Sequence, residues 1–258
     1  MDSVNKILGG KTEKTATKQK PEPERYQSKR GFETAKVLRG WCEIENVYGF
    51  LKQRVPNGWC MCGGYIRYMC SPCATPAPAS DLDIYCESKE IFDEVKKRLD
   101  TIMTHKHENN ISLTYNRSKD LFFRASPIIQ LIKPVNEGHI VAKGNLQTIL
   151  ENFDFTVVRA GLLQKNTALV DVDFQHDEEH KTLRIKNIHC PISSTFRFIK
   201  YCKKGYHAPL VQIVRLFIDW DGRGADYREK ILDYMKKLDG EGITQLEIEE
   251  MEALMRID

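Results

Sequence analysis

Apolar residues recur at near-helical spacing from Gly31 to Gln53, at Ala35, Val37, Leu38, Trp41, Ile44, Val47, Tyr48 and Leu51, which predicts one helix over that stretch. Pro56, Asn57 and Gly58 end it. "WCMCGG" reads as a short buried strand closing on Gly63 and Gly64, and "YIRYMC" as the first turns of a helix. The alternating prolines of "CATPAPAS" predict an exposed, extended connection. In "SDLDIYC" the pattern changes to period two, with Asp81, Asp83 and Tyr85 on one face and Leu82, Ile84 and Cys86 on the other, as in a strand buried on one side.

"SKEIFDEVKKRLDTIM" is again helical, with Ser88 as N-cap and Glu90 in the first turn. "NISLTYNR", "SPIIQLIKP" and "FDFTVVRAGLL" read as strands, "GNLQTILEN" as a helix capped by Asn145, and "TALVDVDF" as a strand or hairpin arm. From Ser193 the pattern is helical throughout, in "STFRFIKYCKKGY", "APLVQIVRLFIDW", "ADYREKILDYMKKLD" and "TQLEIEEMEALM". Strands mixed with helices, followed by helices alone, predict an α+β protein: a head with a small mixed sheet over residues 31–190, then an all-helical domain over 191–258.

Composition adds boundaries. At 258 residues and 41% hydrophobic content the chain can bury a real core, and its apolar runs fall short of the roughly 20 residues of a membrane span. No membrane partner is expected. The first thirty residues hold eight Lys and Arg against four Asp and Glu, with two prolines and few large apolar side chains, and are expected to be a disordered basic leader. They contain no apolar stretch of signal-peptide length, so the expected location is the cytoplasm and the eight cysteines are expected to be reduced. A net charge of +3 by itself points to no polyanionic partner.

The chemistry-bearing residues lie around the glycines. Asp81 and Asp83 have roots about 6.5 to 7 Å apart on one strand face, an arrangement that suits solvent or a hard cation such as Mg2+ or Mn2+. An ordinary exposed strand edge would carry the same pair. Gly63 and Gly64 permit close backbone approach to a ligand, and Arg67 can add a bidentate charge to a triphosphate. Cys60, Cys62, Cys70 and Cys73 have zinc-like spacing, yet cysteines on a buried strand also serve as small hydrophobes. His105 and His107, between a helix and a strand, read as loop residues.

"GGYIRY" from Gly63 to Tyr68, the Asp81/Asp83 pair, "ENFDFTVVRA" from Glu151 to Ala160, "TLRIKNI" with Leu183 and Arg184, and "SSTFRFIKYCKKGY" with Arg197 follow one another in the order of a known family. Over about residues 58 to 207 the chain resembles the nucleotidyltransferase superfamily, the DNA polymerase beta-like group, and within it the head of class II CCA-adding enzymes and bacterial poly(A) polymerases. Several positions depart from the pattern. Tyr68 replaces an acid, Asn152 and Phe153 replace paired arginines, Ser193 and Ser194 replace the Glu-Asp pair that reads the incoming base, and the helical tail is much shorter.

The resemblance implies a template-independent transfer of NMP from an NTP to a hydroxyl, most simply an RNA 3' end such as that of tRNA. It implies two divalent ions held by Asp81, Asp83 and a third carboxylate, Asp154, with Asp171 or Asp173 as the alternative third acid. Arg67 and Arg159 would contact the triphosphate and Arg197 the base or a phosphate, while Lys203 and Lys204 would meet the acceptor or simply end a solvated helix. Two other readings stay open: a toxin-like or modifying enzyme acting on a protein or small molecule, and a degenerate head kept as a nucleotide- or RNA-binding module.

Overall fold

The computed structural model describes residues 31–77, 79, 81–109, 111–118, 127–134, 144–189, 191–222, 224–225 and 228–229. The expected basic leader and the helices expected beyond Lys230 lie outside the described residues.

The described residues begin with strand β1 (Phe32–Lys36), not with a helix. The helix expected from Gly31 is confined to α1 (Trp41–Arg54), which begins after Gly40 in the left-handed region at φ 70. Residues 32–36 are extended because they pair antiparallel with a strand far along the chain, Phe32 opposite Asp171 and Lys36 opposite Thr167. That long-range pairing overrides a helical spacing of apolar residues that continues into α1.

Next come β2 (Trp59–Cys62), α2 (Gly64–Cys70), β3 (Asp81–Cys86) and α3 (Lys89–Ile102), each where the pattern places it. The Ser88 hydroxyl accepts from Ile91 N, the expected cap. β4 (Met103–Glu108) was not foreseen: His105 and His107 lie on this strand, paired to β5 (Ser112–Ser118), and not in a loop. β6 (Ile128–Ile132) and α4 (Leu146–Glu151) follow, the latter capped by Asn145, whose side chain accepts from Thr148 N. "FDFTVVRAGLL" is a strand only at its end. Phe155 makes one bridge to Ile185, Thr156–Val158 form a 3-10 turn, and β7 (Ala160–Gln164) then forms a hairpin with β8 (Thr167–Asp171). A short helix not anticipated, α5 (Phe174–Glu179), precedes α6 (Pro191–Lys203) and α7 (Leu210–Asp221).

Among the described residues eight strands form one mixed sheet in the order β1-β8-β7-β2-β3-β6-β5-β4, wider than the small sheet expected, in which β3 and β6 pair parallel. One face is the main core. Leu82 and Ile84 of β3 and Met61 of β2 are buried there with Ile44, Val47 and Leu51 of α1 and Val95 and Leu99 of α3. On the other face Cys62 packs with Ile149 and Leu150 of α4, beside Tyr85 and Phe153. A further cluster joins Phe155, Val157, Leu183 and Ile185 to Tyr201, Tyr206 and Leu216 of α6, α7 and the turn between them. Among the described residues no helix is long and apolar enough to cross a membrane.

Candidate active site

β3 alternates strictly, with Leu82, Ile84 and Cys86 buried in the core and Asp81, Asp83 and Tyr85 only partly covered on the opposite face. β2 runs antiparallel beside it and sets Cys62 opposite Asp83. The chain then turns at Gly63, whose backbone sits at φ 84, ψ −147, where a side chain is strained. Gly63 N donates to Ala160 O at 2.8 Å, so the turn is anchored to β7. A Cβ at Gly63 would lie 2.8 Å from Oδ2 of Asp83. The glycine thus admits a carboxylate against the backbone.

Asp83 titrates well above the usual carboxylate range, first because of burial and next because Asp81 stands beside it; Lys200 and Arg197 oppose the rise. Both lysine and arginine come from α6. Arg197, Lys200, Tyr201 and Lys204 recur at helical spacing and share one side of that helix and its C-terminal end. The Tyr201 hydroxyl lies 3.8 Å from where a Cβ on Gly64 would stand. Burial, with Arg67 and Lys200 nearby, brings Lys204 down to about 8, while Asp81 pulls the other way. A basic helix face therefore looks across at the glycine turn and the acidic pair.

Asp154 occupies the turn after α4 and is buried. Its Oδ2 accepts from Arg197 Nη1 at 2.8 Å and from Ser194 Oγ at 3.1 Å, and its carbonyl accepts from Lys186 N at 2.7 Å. The preceding Phe153 makes a tilted ring contact with Tyr85, centroids 5.6 Å apart, and lies 3.7 Å from the Cβ position of Gly63. The turn bearing Asp154 is thereby held on the Asp83 face of the sheet. Among the described residues no three His, Cys, Asp or Glu side chains are grouped to hold a metal ion, because Asp154 faces Arg197 and Ser194.

Two arginines depart from expectation. Arg67 is fully buried: Nη1 donates to Tyr206 Oη at 2.9 Å and reaches Glu178 Oε1 at 3.5 Å, and Nη2 donates to Ala77 O. It forms an internal ion pair between α2 and α5. Arg159 is also buried, donating through Nε to Phe153 O at 3.0 Å, through Nη2 to Glu151 O at 2.6 Å and through Nη1 to Asp171 Oδ2 at 3.3 Å. It staples the end of α4 and the turn before Asp154 to β8.

The second Asp-x-Asp pair is likewise committed. Asp171 binds Arg159 and Lys186, and Asp173 binds Lys186 Nζ at 2.9 Å, both acids being buried. The cysteines make no cluster of four: Cys60 and Cys62 Sγ are 3.5 Å apart, Cys73 donates to Glu178 O, and burial pushes the Cys70 thiol up to about 12. Sequence reading missed Lys200, Tyr201 and Phe153. The i, i+3, i+4, i+7 recurrence of Arg197, Lys200, Tyr201 and Lys204 was the available signal.

No family model and no curated protein sequence matches the chain. Its fold is similar to that of a CCA-adding enzyme solved with CTP, at 14% identity and a TM-score of 0.47, covering 88% of this chain and 56% of that one. A Thermotoga maritima CCA-adding enzyme solved with tRNA gives 12% identity, a TM-score of 0.46 and coverage of 88% and 55%. A tRNA nucleotidyltransferase solved with a primer tRNA and an ATP analogue gives 16%, 0.40, and coverage of 69% and 48%. The chain spans about half the length of each of these structures.

Proposed function

We propose that the protein is a template-independent nucleotidyltransferase that moves NMP from an NTP to a hydroxyl, with an RNA 3' end as the acceptor. The observation that carries this reading is the seat of Asp83: its Oδ2 fills the space a Cβ would need at Gly63, next to Asp81 and across from Arg197 and Lys200. Ionising a partly desolvated acid that stands beside a second acid is costly unless a cation joins them.

Asp81 and Asp83 fit a divalent ion by this donor chemistry, and they are the residues that would hold it. When bound, such an ion lowers the pKa of an attacking hydroxyl and offsets charge on the leaving pyrophosphate. The chain's own groups do the rest. The Gly63–Gly64 backbone leaves room for phosphate oxygens to come close, and Lys200, Lys204 and Arg197 supply positive charge on the facing wall. The acceptor oxygen bonds to the α-phosphorus, the bond to pyrophosphate breaks, and the hydroxyl proton is released.

Arg197 holding Asp154 favours a second reading, a head that binds nucleotide without turnover, because the third acid is already paired. The two are separated by incubating the full chain with each labelled NTP, Mg2+ and RNA carrying a free 3' hydroxyl. Label added to RNA, absent with Asp83→Asn and with periodate-oxidised RNA, supports transfer. NTP binding without incorporation supports the second reading, label on protein points to a different acceptor, and the absence of both binding and transfer refutes the proposal.

A further inference from the structure

α7 is turned inside out. Its polar side faces the protein: Gln212 Oε1 accepts from Ile185 N at 3.0 Å, and Arg215 donates to the carbonyls of Ile185 and Lys186 at 3.0 and 3.1 Å. Only Leu216 is buried. The apolar side is bare, with Leu210 74%, Val211 66%, Val214 44%, Phe217 68% and Ile218 65% exposed. These five stand at i, i+1, i+4, i+7 and i+8, one continuous stripe about 12 Å long. A stripe of this kind calls for a cover.

We propose that the cover is this chain's own residues 225–239, returning along α7 as the second arm of a helical hairpin. The sequence "ADYREKILDYMKKLD" repeats apolar positions at Tyr227, Ile231, Tyr234 and Leu238, spaced i, i+4, i+7 and i+11, with Lys230, Asp233, Lys236 and Lys237 between them. As a helix it measures about 22 Å, long enough to cover the stripe. Its start is in the right place. α7 ends at Asp221, Gly222 and Gly224 follow, and Arg228 N donates to Gly224 O at 3.2 Å, opening a new helical turn.

Arg228 also reaches back, its Nη1 2.7 Å from Asp221 Oδ1, which ties that turn to the end of α7. Two helices joined by a loop of about 2–5 residues form the usual αα-hairpin. Tethering gives the chain's own segment an effective concentration in the millimolar range, far above that of a second molecule in dilute solution. This inference is independent of the proposed reaction.

The test uses the full chain with Phe217 replaced by the photocrosslinker p-benzoyl-phenylalanine. Irradiation at low micromolar protein is expected to join position 217 to a peptide within residues 225–239 of the same molecule, with a yield that does not change on tenfold dilution. In parallel, amides of 225–239 are expected to be protected from hydrogen exchange by at least about tenfold and to lose that protection in Val214→Asp/Phe217→Asp, while β3 amides stay protected. Crosslinks only between two chains would assign the stripe to a second copy. Crosslinks only elsewhere, no crosslink at all, or exchange in 225–239 that the double variant leaves unchanged, would each overturn the proposal.

Discussion

Oδ2 of Asp83 stands 2.8 Å from the point where Gly63 would carry a Cβ, and Gly63 holds φ 84. Any side chain at 63 therefore meets both backbone strain and the carboxylate. Gly63→Ala is expected to cost about 1–3 kcal/mol in a denaturant titration and to displace Asp83. Nucleotide binding by the residual folded protein, measured by calorimetry, should fall more than Gly58→Ala makes it fall. Gly58 also has positive φ, and a Cβ there would meet the Glu87 carboxylate, so it controls for strain and for a carboxylate clash away from the acidic pair.

Asp83→Asn separates stability from chemistry. For an acid whose folded pKa is raised, the stabilising protonated form is present at low pH, and its benefit is lost as pH rises from the unfolded value toward the folded one. Ionising this carboxylate is unfavourable in its site, so at neutral pH the variant should be as stable as the parent or more so in urea. Transfer activity should drop by about 100-fold or more. Added Mg2+ should raise the parent's melting temperature but not the variant's.

Arg67 and Glu178 are both fully buried and joined at 3.5 Å, with Tyr206 and Ser71 completing the network. Arg67→Met strands Glu178 and should cost about 3–5 kcal/mol. Adding Glu178→Leu should restore most of that loss, because the stranded charge is removed as well. Nucleotide affinity of the double variant, once folded, should match the parent, an outcome that a direct triphosphate contact by Arg67 would not allow.

Lys204 supplies a pH signature. Its folded value of about 8 lies below that of an unfolded lysine, so between pH 8 and about 10.4 the unfolded chain binds more protons and stability from this site rises with pH. Lys204→Met removes that rise. Urea midpoints of parent and variant should keep a constant difference up to pH 7.5 and move in the parent's favour from pH 8 to 10, whereas a parallel course would show an ordinary, exposed lysine.

Legibility followed the range of the interactions. The elements held by local rules, such as β3 with its period of two and α3 with its Ser88 cap, were readable from neighbours in the chain. β1 carries a helix-like spacing, and it is extended because its partner lies 139 residues away, at Phe32 opposite Asp171. β4 looked like a loop because "MTHKHE" has little apolar alternation and is extended by its pairing with β5. Asp154 was placed on a strand because its flanks are apolar. They are apolar because Phe155 is buried in the cluster under α6 and α7, while Phe153 packs against that cluster and also against the one at α4.

The arginines mark the boundary most clearly. A side chain's charge is written in its residue type, but its direction is not: Arg67 points inward because Glu178 arrives from a distant segment, and Arg159 because the β7–β8 hairpin brings Asp171 back to it. The amino-acid order alone determined that two carboxylates share one strand face, that two glycines precede them, and that basic residues line a later helix, since each of these is a matter of spacing within a single element. Only the tertiary structure decided that Gly63 abuts Asp83, that α6 stands across from both, and that Asp154 is held by Arg197, because contacts between elements depend on the packing of the whole sheet and its helices.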